Sequence, residues 1–160
     1  MKHDVRRDSR LRRRLTLSHD GRPFLDRWGI VHERIGGFYL HHIAGPDPGM
    51  DLHDHPWSFV SIILRGSYTE QTAEAREACL LAEIAEQWPE TSERSWRRFS
   101  IHRMPLTIAH RITAVEPGTW TLVLRGPTRR KWGFYLPDCW TVWTSYPYGT
   151  RRPITIDKSR

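Results

Sequence analysis

Cysteine is scarce: the 160-residue chain has two, Cys79 and Cys139, far apart and in no CxxC spacing. That excludes a disulfide framework and a thiolate zinc site, and both are read as packing residues. Long apolar runs are missing as well. None approaches the roughly 18 residues that a membrane span requires, and the Arg-rich opening has no apolar stretch behind it of the kind a secretory signal needs. The expectation is a soluble, cytoplasmic protein with no membrane contact. Two cores would each be marginal at this length, so one domain is expected over 21–150, with basic tails at 1–20 and 151–160.

The middle of the chain also lacks net charge, although the pI is near 10.0. Residues 1–14 and 151–160 carry +5 and +3 of the formal +7, which leaves −1 for residues 15–150. The basicity therefore belongs to the ends. Weak, nonspecific contact with polyanions is the most such tails imply, and no helix-turn-helix pattern accompanies them.

What the chain has in excess is rings: eight Trp, five Tyr and five Phe. Large rings favour strands and the walls of ligand cavities. Short apolar stretches punctuated by Gly and Pro read as strands over Trp28–Ile35, Phe38–Ile43, His53–Leu64, Tyr68–Gln71, Arg97–Met104, Ala109–Val115, Thr119–Arg125, Trp132–Leu136 and Trp140–Thr144. Such regular spacing predicts an all-β sandwich or barrel. Thr72–Trp88 breaks the rhythm. Ala78, Leu81, Ala82 and Ala85 recur there at helical spacing, so one α-helix is expected, stopped by Pro89 and followed by a polar connector over Glu90–Ser95.

Among nine histidines, His53 and His55 carry the strongest signal. At i and i+2 on an extended segment both rings leave the same face while Asp54 points away, so two nitrogens can converge on one ion. His110, opening a later strand five residues after Pro105, is the third candidate ligand. His102 either faces the cavity or satisfies a backbone carbonyl. His41 and His42 are adjacent and point to opposite faces, so at most one sees the cavity. Arg129-Arg130-Lys131 reads as a solvated turn.

The stretch Gly49-Met-Asp-Leu-His53-Asp-His55-Pro-Trp-Ser-Phe59-Val60-Ser-Ile-Ile-Leu-Arg-Gly66 resembles the first motif of the cupin superfamily, and Pro105-Leu-Thr-Ile-Ala-His110 resembles the second. The likeness covers roughly residues 38–136, and the His-Asp-His-Pro-Trp run is similar to that of small single-domain cupin-like proteins of phages and actinobacteria. It implies a double-stranded β-helix (jelly-roll) barrel with the helix inserted between the motifs, and one divalent metal ion on His53, His55 and His110.

Two positions depart from the family pattern. Phe59 or Val60 stands where its Glu ligand belongs, and Thr107 replaces a Gly. The shell would be three neutral histidines, as in the thiol-dioxygenase branch, with Fe(II) favoured and Zn, Ni or Cu possible. Without a carboxylate the ion keeps more positive charge, which favours an anionic substrate. Glu70 is a candidate substitute ligand or general base, sharing a strand face with Tyr68. Trp57, Trp132 and Tyr135 are candidates to line the pocket, and Arg125 to grip a substrate carboxylate or phosphate.

The leading expectation is a metal-dependent cupin enzyme, an oxygenase acting on a small anionic or aromatic molecule, with Glu70 or Tyr68 moving protons. A 2-oxoglutarate oxygenase is a related alternative, although that group uses His-x-Asp. A sugar-type isomerase or epimerase would need an acid/base pair such as His102 with Tyr135, and a non-catalytic binding or sequestering barrel is the alternative of another class. Exposed sheet edges make a homodimer plausible.

Overall fold

The computed structural model describes residues 15–19, 22–75, 91–136 and 140–146. Twelve strands run β1 (Leu15–His19), β2 (Arg22–His32), β3 (Gly36–Ile43), β4 (Leu52–His53), β5 (Phe59–Arg65), β6 (Ser67–Glu74), β7 (Ser92–Arg97), β8 (Ile101–Met104), β9 (Ile108–Val115), β10 (Thr119–Arg125), β11 (Gly133–Tyr135) and β12 (Trp140–Val142). They form two six-stranded sheets, ordered β1-β2-β3-β10-β5-β8 and β12-β11-β4-β9-β6-β7, all neighbours antiparallel. The chain alternates between the sheets, as a jelly roll does. At the β5–β6 turn Gly66 sits at φ +75°, where a Cβ would collide with Thr119 of β10. Only glycine closes that turn without strain.

Several expectations are corrected. Thr72–Glu74 do not begin a helix but continue β6, paired with β9, because His110, Ala109 and Ile108 offer them a ladder. Ala75, the last described residue of this stretch, is helical, and residues 76–88 of the expected helix lie outside the described residues. The supposed connector Glu90–Ser95 contains most of β7, an exposed edge strand whose polar side chains hide its pairing with β6. Arg97–Met104 is not one strand: Phe99 at φ +69° turns the chain from β7 in one sheet to β8 in the other. Leu15–His19, within the span read as a basic tail, pairs with β2. Residues 1–14 and 151–160, with Cys79 and Cys139, lie outside the described residues.

Alternation along the strands decides what faces the interior. In the first sheet the cross-strand rows Arg27/His41/Thr121/Ile63, Gly29/Tyr39/Val123/Ser61/His102 and Arg125/Phe59/Met104 point inward. Trp28, Ile30, Phe38, Leu40, Leu122 and Leu124 point outward, and Ile30, Phe38 and Leu124 are exposed. Two apolar clusters face the interior, one spanning both sheets and one on the first sheet. Ile43, Ile63 and Tyr68 close one part of the interior, and Phe59, Met104 and Val123 pack elsewhere. A third group, Leu52, Ala73, Ala75, Ala109 and Tyr135, lies on the far face of the second sheet.

Candidate metal centre

His53 ends β4 and stands opposite His110 of β9 and Phe134 of β11, so strand pairing alone puts two of the three imidazoles side by side. His55 follows two residues on and folds over the same point. One ring nitrogen from each of His53, His55 and His110 lies within 4.8 Å of the others. The Nε2 atoms of His55 and His110 are 2.7 Å apart. Two nitrogens each about 2.0–2.1 Å from one ion and at a right angle would be separated by about 3 Å, so the donor set fits a divalent ion.

Electrostatics agrees with that fit. Burial, then the charge of His110, pushes His53 down to about 4, and burial with His110 and His53 holds His55 well below the usual imidazole range. Both are neutral lone-pair donors, the form a metal needs. His110 differs. Burial pushes it down, but the Glu70 charge and hydrogen bond outweigh that and raise it. His110 Nδ1 donates to Glu70 Oε1 at 2.5 Å, which turns its Nε2 toward the other two rings. His53 Nδ1 similarly faces Asp47 Oδ2 at 4.0 Å.

Glu70 is therefore neither a ligand nor a free base. Its Oε1 takes His110 and its Oε2 takes the Trp96 indole N–H at 2.9 Å. Burial pushes its carboxyl up, but the charge and hydrogen bond of His110 prevail and leave it below the ordinary range, so it is ionised. Tyr68 and His102 sit farther along this wall. The Tyr68 hydroxyl meets His102 Nε2 at 2.6 Å, and the His102 ring stacks on Trp96. Burial, then the Glu70 charge, pushes the phenol above its usual range, so Tyr68 is neutral where it meets His102. His102 faces the interior, which resolves that alternative.

The rings divide into two groups. Trp57 stacks over His55 with centroids 6.1 Å apart, Trp132 lies 6.5 Å from His55 and 6.2 Å from His53, and Phe59 meets His55 edge-on at 5.0 Å. Phe59 and not a carboxylate stands beside the triad. Tyr135 is not in the pocket. It pairs with Leu52, on the opposite face from His53, and its hydroxyl donates to Asp54. The acid/base pair of His102 with Tyr135 is thus not assembled. Arg125 does face the interior, its guanidinium 3.9 Å from the Trp57 ring centre.

Sequence reasoning missed the roles of Asp54, Arg130 and Arg27. Asp54, only 1% exposed, accepts from Gly133 N, the Tyr135 hydroxyl, Trp140 Nε1 and Arg130, and so ties the end of β4 to β11 and β12. Arg130 is no solvated turn residue: it also reaches the carbonyls of His55 and Leu106. Arg27 and His41 face inward on β2 and β3, joined by an Arg27 Nε to His41 Nε2 hydrogen bond of 3.1 Å. His42, as adjacency demands, is on the outside beside Trp120. A separate cleft of about 600 Å³ between the β7 and β8 edges is lined by Glu70, Trp96 and His102 among others and by no member of the triad.

No protein-family model matches the sequence, and no curated protein matches it significantly. Solved structures do resemble it. The Fe(II) form of HppE superposes with a TM-score of 0.54 at 11% identity, over 71% of this chain and 56% of that one. Streptomyces albus HEPD, with 2-hydroxyethylphosphonate and Fe(II) bound, gives 0.53 at 10% identity, over 73% of this chain and 24% of that one. The chain therefore spans little more than half of the first protein and a quarter of the second. At such identities the likeness is one of fold alone, the two-sheet jelly roll described above.

Proposed function

We propose that the protein is a metal-dependent cupin enzyme, a three-histidine non-haem iron oxygenase acting on a small anionic or aromatic molecule. The observation that carries this reading is the convergence of three imidazole nitrogens from β4, the loop after it and β9, with an ionised Glu70 fixing the orientation of His110. A divalent ion bound there supplies Lewis acidity and, as Fe(II), one-electron reactivity toward dioxygen. His53 and His55 offer neutral lone pairs, and Glu70 keeps a proton on His110 Nδ1 so that Nε2 faces the centre. Trp57 and Trp132 wall the site and keep water from its flanks, presenting flat faces to an aromatic or unsaturated substrate. Arg125 orients an anionic group. The all-histidine shell favours the same substrate charge, because it leaves the ion's two positive charges unneutralised. Both structures of similar fold named above hold Fe(II), which supports the choice of metal.

Elemental analysis of the purified protein beside His53→Ala and His110→Ala, followed by oxygen-uptake measurements with small anionic candidates, tests the proposal. Near-stoichiometric iron that is lost in both variants, with metal-dependent oxygen uptake, is expected. A fully metallated and active His53→Ala protein overturns the site. Zinc or nickel without oxygen uptake overturns the oxygenase reading, and a tightly held ligand with no metal-dependent product replaces it with a sequestering barrel.

A further inference from the structure

Two guanidinium groups on the inner face of the first sheet have no counter-charge among the described residues. Arg27 projects from β2 in the row of His41 and Thr121, and Arg125 from β10 in the row of Gly37 and Phe59. A continuous aromatic path joins them. The Arg27 guanidinium lies 4.6 Å from the Tyr39 ring centre, Tyr39 is 6.4 Å from Trp57, and Trp57 is 3.9 Å from Arg125. Trp57 also stacks on His55, so the pair borders the triad. Neither cation lies within 4 Å of a carboxylate among the described residues.

Their donors are only partly used. Each guanidinium has five N–H groups. Arg27 gives Nε to His41 and also hydrogen-bonds the Tyr39 side chain, while Arg125 gives Nε to the Gly126 carbonyl and Nη2 to Thr128 Oγ1. No side-chain nitrogen or oxygen among the described residues is sealed without a partner, so each guanidinium nitrogen is either hydrogen-bonded or accessible. Arg27 also keeps part of its surface accessible, although burial lowers its pKa against the opposing effect of Tyr39, with a smaller lowering from Arg125. A cation on the inner face that keeps accessible surface can meet a ligand from the space between the sheets. Burial, then Arg27, holds His41 well below the usual imidazole range, so it accepts from Arg27 as a neutral ring and keeps one N–H to donate. A buried unpaired charge is costly, and two in one cavity are costlier unless something neutralises them.

We propose that Arg27 and Arg125, with His41, form an anion subsite beside the triad that takes a dianionic head group of the phosphoryl type. This rests on the reading of the cavity as a substrate site and narrows the substrate to a small molecule carrying such a group. Two guanidiniums balance a dianion, whereas a single carboxylate leaves one cation uncompensated. The planar forks match the oxygen edges of a tetrahedral oxyanion.

Calorimetric titration of the full chain with inorganic phosphate, and with acetate at matched ionic strength, tests the subsite in metal-free and metal-loaded protein. Phosphate should bind and acetate should not. Arg27→Met and Arg125→Met should each weaken phosphate binding about 10- to 100-fold, the range expected for losing one charged hydrogen-bonding partner. Thermal unfolding in acetate separates this from a structural role: Arg27→Met should melt at or above the wild-type temperature, because Met fills the volume without an unbalanced charge. The stabilising effect of phosphate common to most proteins would survive both substitutions. Absence of phosphate binding, binding that persists in both variants, or acetate bound as well as phosphate overturns the proposal. Because metal-free protein is included, phosphate binding without metal uptake fails only the enzyme reading, and metal uptake without phosphate binding fails only the subsite.

Discussion

The two inner walls of the barrel handle charge in opposite ways. The second sheet and its loops bring the triad together and surround it with acidic acceptors: Glu70 behind His110, Asp47 facing His53, and Asp54 beneath the end of β4. Each of those carboxylates accepts hydrogen bonds, Asp47 from the Ile112 amide among others. The first sheet, across the cavity, presents Arg27, His41 and Arg125 and no inward acid; its Asp26 is outside, 3.6 Å from His42. One wall is internally neutralised and the other is not. A wall whose polar groups satisfy each other is built to hold a geometry. A wall with unbalanced cations is built to receive something, and the fold sets the two face to face.

The largest effect should come from removing the hub of the satisfied wall. Asp54→Ala leaves the Gly133 amide, the Tyr135 hydroxyl and the Trp140 indole N–H short of an acceptor in a buried place, at a cost of about 3 kcal/mol. Urea unfolding measures it. A loss below about 1 kcal/mol would mean that water replaces the carboxylate and that this wall is less closed than its hydrogen bonds suggest. A smaller effect is expected one step nearer the metal. Glu70→Gln keeps the shape but sets an amide N–H against the Trp96 indole or removes the charge from His110, and metal affinity should fall about 10- to 100-fold. Competition with a chelating dye reads this directly. Unchanged affinity would show that β9 alone fixes His110, and that the acidic backing does not distinguish the two walls.

The triad was legible in the sequence because its logic is local: i and i+2 on an extended segment share a face, and a third histidine at the start of a later strand can lie opposite. The roles of the groups around it were not. Whether Glu70 ligates or orients depends on how it meets His110, a matter of cross-strand register between β6 and β9 that spacing along the chain does not encode. Tyr135 was misplaced because a two-residue β4 sets which face of β11 looks inward. Arg27 was missed for a different reason. Alternation along Leu25–Val31 gives the phase of the strand but not which face is inside, and here Arg27 and Gly29 are inside while Trp28 and Ile30 are out. β7 escaped notice because an exposed edge strand with polar residues on both faces has the composition of a loop.

That inversion of the first sheet yields the smallest expected effect and the sharpest check on which face is which. Leu124 lies between inward Val123 and inward Arg125, and its side chain is 46% exposed beside Phe38 and Val60 in the neighbouring strands. Leu124→Ser on an open outer face should change stability by no more than about 0.5 kcal/mol, as measured by urea unfolding at two protein concentrations. A loss of about 2 kcal/mol would mean that the apolar face is covered in solution. If the unfolding midpoint of the unmodified protein also rose with concentration, the cover would be a second copy of the chain, because only association makes stability depend on protomer concentration. The outward Trp28, Leu40 and Leu122 would then belong to an interface, and the unusual placement of arginines inside and leucines outside would have one cause: the first sheet would bind a ligand on one face and its own copy on the other.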